Sequence, residues 1–170
     1  MKIIKITIIL AAIGIIAYIL IPPSRLPSEA IIDKIVVLKS KRQLIVFYQD
    51  THLKTYKISL GRNPFGTKQY EGDKRTPEGL YYINDKNPFS AYHKNLGISY
   101  PNQKDIEHAK ALGKNPGGDI KIHGIRNGLG FIGKFHRLID WTSGCIAVTN
   151  SEIEEIYNHT AIGIPIEIKE

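Results

Sequence analysis

The chain has 170 residues, of which 42% are hydrophobic, and this length suits one globular domain with a short additional element. Its only cysteine is Cys145, so the stability of a monomer must come from a packed core rather than from disulfides. The formal net charge of +7 favours anionic polymers as partners. Nucleic acid is a poor candidate, because no predicted helix carries a basic stripe with interleaved aromatic residues.

The first 21 residues are the most apolar part of the chain. Lys2 and Lys5 precede a nearly unbroken apolar run from Ile6 to Ile21. As a helix these 16 residues extend about 24 Å, and a snorkelling Lys5 lengthens the segment to about 28 Å, close to the roughly 30 Å hydrocarbon core of a bilayer. We therefore predict a membrane anchor at 1–21. A cleaved signal peptide is the alternative, although YILIPPS lacks a small-x-small cleavage site.

A tether and one domain are predicted after this segment. Lysines stand only on the N-terminal flank of the apolar run, which predicts a cytoplasmic start and an external domain. Residues 22–33 contain PPSRLP, which cannot continue a helix and is typical of a short, stiff tether. The domain is expected at 34–170. The exported part keeps a net charge of +5, because Lys2 and Lys5 are subtracted from +7 and residues 1–21 contain no acid.

The first half of the domain has a pattern typical of antiparallel strands and loops. Polar turns separate apolar runs rich in β-branched residues at 35–38, 44–48 and 53–60, which predicts a meander of two or three short antiparallel strands. The stretch from Gly61 to Gly79 lacks apolar periodicity and is predicted to be a long loop ending in a Thr-Pro-Glu-Gly turn. A strand from Leu80 to Ile83 should bury one of Tyr81 and Tyr82 while the other lines a surface.

The second half combines short strands with two helices. Residues 87–99 are predicted to be a loop and then a short strand. Asn102 is a suitable N-cap for a helix from Gln103 to Leu112 that stops at Gly113. A second helix is predicted to start at a capping signal formed by Ser151 and Glu154, and a strand from Ile164 to Ile168 closes the sheet. These elements predict a mainly β fold with short helices.

Residues 122–150 contain the clearest candidate chemistry. Alternating apolar residues predict a strand ending at His123, and Cys145 follows Gly144 at the start of another predicted strand. A thiol needs a base to become a thiolate near neutral pH, and an imidazolium partner would hold the thiolate well below the free cysteine pKa of about 8.5. The backbone N–H groups of Gly144 and Cys145 are candidate oxyanion donors. The alternative is that Cys145 is a buried small apolar residue.

Two further features lie between these candidates. The glycine-rich segment 127–141 is predicted to be either a lid or a loose connection. Trp141, the only tryptophan, could pack in the core or flank a cleft beside the thiol. The spacings of the domain's histidines fit neither HExxH nor a Cys/His zinc pattern, so no metal or cofactor is expected at His93, His108, His123 or His136.

The segment resembles the signature of the L,D-transpeptidase catalytic domain. In that family a His-Gly is followed, after a variable loop, by Ser/Thr, one residue, Gly-Cys and an apolar residue, which here are His123, Gly124 and Thr142 to Ile146. The upstream stretches IVVLKSKRQLIVFYQDTHLKTYKISLG and GDKRTPEGLYYI also resemble the family, so the likeness extends over about residues 34–168. Two positions depart from the pattern: Ser143 stands where many members have His, and Ala147 where many have a polar residue, often Arg.

The resemblance implies a β-sandwich or barrel-like domain that acts on peptidoglycan stem peptides in the bacterial envelope. It implies a Cys145 thioester formed with His123 as base, and release of a terminal D-residue. The Gly124 carbonyl would orient the His123 ring, with the Asp140 carboxylate as the side-chain alternative. The residues expected to bind substrate are Thr142, Ser143, Trp141 and Tyr82. We expect a periplasmic monomer held to the inner membrane by 1–21, or secreted after signal cleavage.

Other outcomes of this chemistry stay open at the level of sequence. The thioester could be resolved by an amine, which gives a crosslink or an exchange, or by water, which makes the protein an L,D-carboxypeptidase or a hydrolase that releases wall-linked peptides. A non-catalytic wall-binding module that kept the fold is the third alternative. It predicts an unreactive thiol at Cys145.

Overall fold

The computed structural model describes residues 6, 7, 9, 10, 13, 14 and 24–170. The predicted anchor or signal segment at 1–21 therefore lies largely outside the described residues. Within the part of the chain that is described, no helix combines the length and the apolar character needed to cross a bilayer.

The domain is built on one eight-stranded sheet, which confirms the mainly β prediction. Its strands follow one another in the spatial order β3-β2-β1-β8-β4-β5-β6-β7. The last strand thus lies inside the sheet, parallel to β1 and antiparallel to β4. The strands are β1 (Lys34–Leu38), β2 (Gln43–Tyr48), β3 (Thr51–Lys57), β4 (Gly79–Ser90), β5 (His93–Ile98), β6 (Lys121–His123), β7 (Ile146–Ala147) and β8 (Pro165–Lys169).

The two edges of this sheet approach each other and give it a half-barrel shape. The chain that leaves β3 forms an isolated antiparallel bridge from Ser59 to Ala147 of β7, in which each N–H donates to the other carbonyl at 2.9 Å. A second bridge joins Gly61 to Thr142. Because these contacts pair the two edges, the sheet curls around a single core. Of the two expected architectures, a sandwich and a barrel-like sheet, the structure shows the barrel-like one.

Strand β4 is much longer than the sequence pattern predicted. Residues 87–90, expected to be loop, continue the strand and form a hairpin with β5. The Asn87-Pro88 pair is accommodated because the register shifts between Asn87 and Ser90, so the missing Pro88 N–H is not needed in the ladder. The Asn87 side chain accepts the Phe89 N–H at 2.8 Å.

Two α-helices accompany the sheet. Helix α1 (Gln103–Ala111) starts at Asn102, as predicted, with a capping box closed by Asp105. Helix α2 (Asn150–His159) starts two residues earlier than predicted, because its capping box is formed by Thr149 and Glu152 rather than by Ser151 and Glu154. This register buries Glu152, Ile153 and Ile156.

Three segments predicted as irregular are ordered by specific contacts. The segment 127–141 contains a 3₁₀ helix, Gly130–Leu138, with a kink at Gly133. In the 61–78 loop the buried Lys68 and Asp73 pair at 2.9 Å. Part of the predicted tether is docked on the domain, where the Leu26 N–H donates to Glu155 Oε1 at 2.5 Å and Ile32 is fully buried.

Candidate active site

Two adjacent strands bring the predicted nucleophile and base to one cleft. Strands β6 and β7 are parallel, and His123 pairs in register with Ala147. Cys145 immediately precedes β7, and both side chains line a cleft of about 780 Å³. The pairing explains how residues 22 positions apart in the sequence meet: Cys145 stands two residues before Ala147, the partner of His123, and side chains two residues apart along a strand point to the same face.

The His123 ring is fixed by its own neighbour in the chain. Its Nδ1 lies 2.6 Å from the Gly124 carbonyl oxygen, and since a carbonyl can only accept, Nδ1 carries the hydrogen and Nε2 of the neutral ring keeps its lone pair. Burial lowers the pKa of His123, with a further small contribution from Lys121, while the hydrogen bond to Gly124 opposes the shift. The neutral, base-competent tautomer is therefore favoured.

Asp140, the alternative partner for His123, is used elsewhere. Its carboxylate binds the Arg42 guanidinium at 2.8 Å and accepts the Leu60 N–H at 2.9 Å. The Gly124 carbonyl is thus the group that meets His123 Nδ1. Gly124 itself has no room for a side chain, since a Cβ there would lie 2.8 Å from Asn150 Oδ1.

The surroundings of the Cys145 thiol favour its neutral form. It is half-buried and donates weakly to the Asp119 carbonyl at 3.5 Å. Burial raises the pKa of Cys145 and the Asp119 carboxylate adds to the shift, although the Lys121 backbone N–H acts in the opposite direction. Together with the lowered pKa of His123, this shift favours a neutral thiol and a neutral imidazole. The sequence, by contrast, predicted a resting imidazolium and thiolate, and that prediction is tested by the pH dependence of thiol alkylation.

The turn that carries the thiol is organised by Thr142. The buried Thr142 hydroxyl donates to the Cys145 carbonyl at 2.7 Å and accepts the Gly144 N–H at 3.1 Å. Gly144 has φ of 132°, and a Cβ there would lie 2.7 Å from the Arg75 carbonyl oxygen, so only glycine fits. The Gly144 N–H, predicted to be an oxyanion donor, is therefore engaged by Thr142 in this structure.

The other predicted substrate-binding residues divide into two groups. Ser143, which is exposed, and Trp141, which is partly buried, line the cleft together with Thr142. Tyr82 does not belong to the cleft lining: it is half-exposed on β4, and its N–H donates to Ser99 Oγ at 2.9 Å. Its neighbour Tyr81 is buried, as one of the two tyrosines was expected to be.

Sequence reasoning missed several residues of the cleft. The Tyr92 ring lies 4.7 Å from the His123 ring and 6.1 Å from Trp141, and the three rings form one wall. In the described part of the chain, no three His, Cys, Asp or Glu side chains group as metal ligands. The further lining residues that the sequence did not assign to the cleft include Arg62, Phe89, Asn95, Asp119, Lys121, Arg126, Leu129, Phe135 and His136.

His136 is a buried histidine beside the candidate pair. Only 6% of it is exposed, Trp141 Nε1 donates to its Nδ1 at 3.4 Å, and its Nε2 has no partner among the described residues. Burial and the nearby Arg137 guanidinium lower the pKa of His136 to about 4. His136 therefore stays neutral at the pH at which His123 would act.

This buried imidazole should make the fold sensitive to acid. Between pH 6.5 and 4 the unfolded chain binds a proton that folded His136 cannot, so the free energy of unfolding should fall with pH by up to about 3 kcal/mol. Denaturant unfolding at pH 7 and pH 4.5 should show a smaller loss for His136→Gln than for the wild type. His108→Gln, on the exposed face of α1, is the control. An equal loss in wild type and His136→Gln would contradict the assignment.

The half-barrel sheet and the cleft that holds Cys145 and His123 define a class of protein: a β domain with a candidate thiol nucleophile. The chain belongs to the L,D-transpeptidase catalytic domain family (YkuD), whose family model matches residues 32–168. This match confirms the resemblance that the His-Gly and Gly-Cys motifs predicted.

The chain is also similar to individual proteins, one of which carries the name of this family. YafK of Escherichia coli (strain K12), provisionally named as an L,D-transpeptidase, is 32% identical over 130 residues, which are 72% of this chain and 45% of YafK. The crystal structure of the helical cell shape determining protein Pgp2 of Campylobacter jejuni matches with a TM-score of 0.61 and 26% identity, covering 84% of this chain and 49% of Pgp2. Bd1075 of Bdellovibrio bacteriovorus matches with a TM-score of 0.56 and 25% identity, over 86% and 54% of the two chains. This chain spans about half the length of these relatives.

Proposed function

We propose that the protein is a cysteine-dependent acyltransferase that acts on peptidoglycan stem peptides by L,D-transpeptidation. The observation that supports this most is the placement of Cys145 and His123 in one cleft, with His123 Nδ1 bonded to Gly124, within a chain of the L,D-transpeptidase family. The site of action would be the periplasmic face of the bacterial envelope, with residues 1–21 as anchor or signal.

The first half of the reaction forms a thioester. His123 Nε2 takes the proton of the Cys145 thiol as Sγ attacks the carbonyl carbon between the third residue and the terminal D-residue of the donor stem. Because the resting pair is neutral, this proton transfer accompanies the attack rather than preceding it. The tetrahedral intermediate then expels the terminal D-residue, whose amine leaves with the proton that His123 returns.

The second half transfers the acyl group. An amine from a second stem attacks the thioester, His123 accepts its proton, and Sγ leaves to recover the thiol. Water in place of the amine gives hydrolysis. We assign stabilisation of the oxyanion in the tetrahedral intermediate to the Cys145 N–H, since the Gly144 N–H already donates to Thr142. Thr142 would then be a positioning residue that shapes the turn, whereas Ser143 and Trp141 would contact the donor.

Incubation of the purified protein with a tetrapeptide donor tests this proposal. Intact-mass spectrometry should show that the mass of the protein increases by the mass of the donor minus that of the released D-amino acid. The free D-amino acid should appear in the same amount. Adding an amine acceptor should then convert the adduct into a crosslinked peptide. Release of the D-residue without any crosslink would identify a carboxypeptidase instead. Neither adduct nor release would contradict the enzymatic assignment and favour a wall-binding module.

A further inference from the structure

Two arginine side chains of the cleft have no acidic partner in the part of the chain that the structure describes. Arg62 and Arg126 both line it, and among the described residues neither forms a salt bridge. By contrast, Arg42 and Arg137 bind carboxylates, those of Asp140 and Glu152. Both unpaired arginines are exposed, so their guanidinium groups are available to a ligand.

The cleft therefore carries an excess of positive charge. Among the described residues that line it, Asp119 is the one carboxylate, and it pairs with Lys121 at 2.8 Å. Once this pair is set aside, the guanidinium groups of Arg62 and Arg126 remain uncompensated. A concave site with uncompensated cations attracts anionic ligands and binds them more strongly than an open surface does.

Each arginine is fixed to a segment that carries one member of the candidate pair. The Arg62 N–H donates to the Thr142 carbonyl at 3.0 Å, at the start of the turn that holds Cys145. The backbone just before Arg62 is closely packed, since a Cβ on Gly61 would lie 2.1 Å from the Lys74 carbonyl oxygen. Arg126 follows His123 by three residues, and its carbonyl accepts the Leu129 N–H at 2.9 Å.

We propose that Arg62 and Arg126 are specificity residues that bind two carboxylates of the acyl donor, one near the leaving D-residue and one on the retained third residue. A guanidinium can hold a carboxylate through two parallel hydrogen bonds, which fixes orientation as well as affinity. The substrate class is then a stem peptide whose terminal and third-residue carboxylates are free rather than amidated. This inference rests on the proposed function, because it uses the same donor and the same cleft.

Binding to a Cys145→Ala protein tests the inference without requiring turnover. The probes are three synthetic tetrapeptides: one with both carboxylates free, one amidated at the terminus and one amidated on the third residue. The fluorescence of Trp141, the only tryptophan, reports occupancy of the cleft. Arg62→Gln and Arg126→Gln are compared with Lys104→Gln, an exposed residue of α1 outside the cleft lining.

We expect each arginine variant to lose both affinity for the free donor and discrimination against one of the amidated peptides. Each arginine variant should weaken binding of the free donor by about ten- to a hundredfold, and should no longer distinguish it from the peptide amidated at the carboxylate which that arginine holds. Lys104→Gln should bind all three peptides as the parent does. Equal binding of free and amidated peptides to the parent, or an undiminished preference in both arginine variants, would overturn the inference.

The two proposals fail in different ways. If the wild-type protein forms the thioester but amidated and free donors react equally well, only the carboxylate inference falls. If the free donor binds the Cys145→Ala protein with the predicted dependence on the arginines while the wild type forms no adduct, the carboxylate site stands and the acyltransferase proposal falls.

Discussion

Replacing Cys145 by alanine is expected to abolish adduct formation and to lower acyl-transfer turnover by roughly 10⁴- to 10⁶-fold. The expected loss is this large because the reaction passes through a covalent bond to Sγ, and removing the nucleophile of a covalent enzyme leaves only the contribution of binding and oxyanion contacts. A carbapenem serves as a second probe, since the resemblance to the family points to this subclass of strained β-lactam. Intact-mass spectrometry should show one carbapenem adduct on the wild type and none on Cys145→Ala.

Two comparisons separate loss of chemistry from loss of structure. Cys145→Ser places a hydroxyl where the thiol was, and this hydroxyl can donate to the Asp119 carbonyl as the thiol does. The stability of this variant should therefore match that of the wild type, while its turnover stays strongly reduced. Cys145→Ala should still bind the free donor in the Trp141 fluorescence assay. A carbapenem adduct of equal yield on Cys145→Ala would place the reactive nucleophile at another residue.

The sequence predicted the chemical centre better than its surroundings. Cys145, His123 and Gly124 could be found because short motifs place them beside predicted strands, and the Gly124 carbonyl contact is local in the chain. The wall of the cleft depends on pairings between distant segments. Tyr92 reaches His123 only because β5 pairs with β6, and nothing near Tyr92 in the sequence encodes that pairing.

The same distinction applies to the fold. Local signals predicted the meander and the cap of α1, since alternation and capping depend on neighbouring residues. The position of β8 between β1 and β4 could not be predicted, because its alternating pattern is compatible with an edge strand as well as with an interior one. Tyr82 was predicted to bind substrate but does not line the cleft, for a related reason. Alternation along β4 shows that Tyr81 and Tyr82 face opposite sides, but not that the outer side lies away from the cleft.

The charge state of the candidate pair is another property that motifs do not encode. Cysteine and histidine in one site suggested an ion pair, yet burial acts against both charged forms and shifts the two pKa values apart. The resting thiol should therefore react with a neutral alkylating agent mainly above the free cysteine pKa of about 8.5. His123→Gln should move this alkylation midpoint little, because no imidazolium stabilises the thiolate in the wild type.

Replacing His123 by glutamine should instead lower acyl transfer by about 10²- to 10⁴-fold, the usual cost of losing a general base. The pH profile distinguishes a base from a merely structural histidine. Because the pKa of His123 is lowered, the neutral base persists below pH 6.5, and wild-type kcat/KM should fall only as the pH drops further. That acid limb should disappear in His123→Gln and remain in His108→Gln. A wild-type alkylation midpoint well below pH 8.5 that rises in His123→Gln would instead support a resting imidazolium and thiolate. An acid limb that survives in His123→Gln would assign the base to another group.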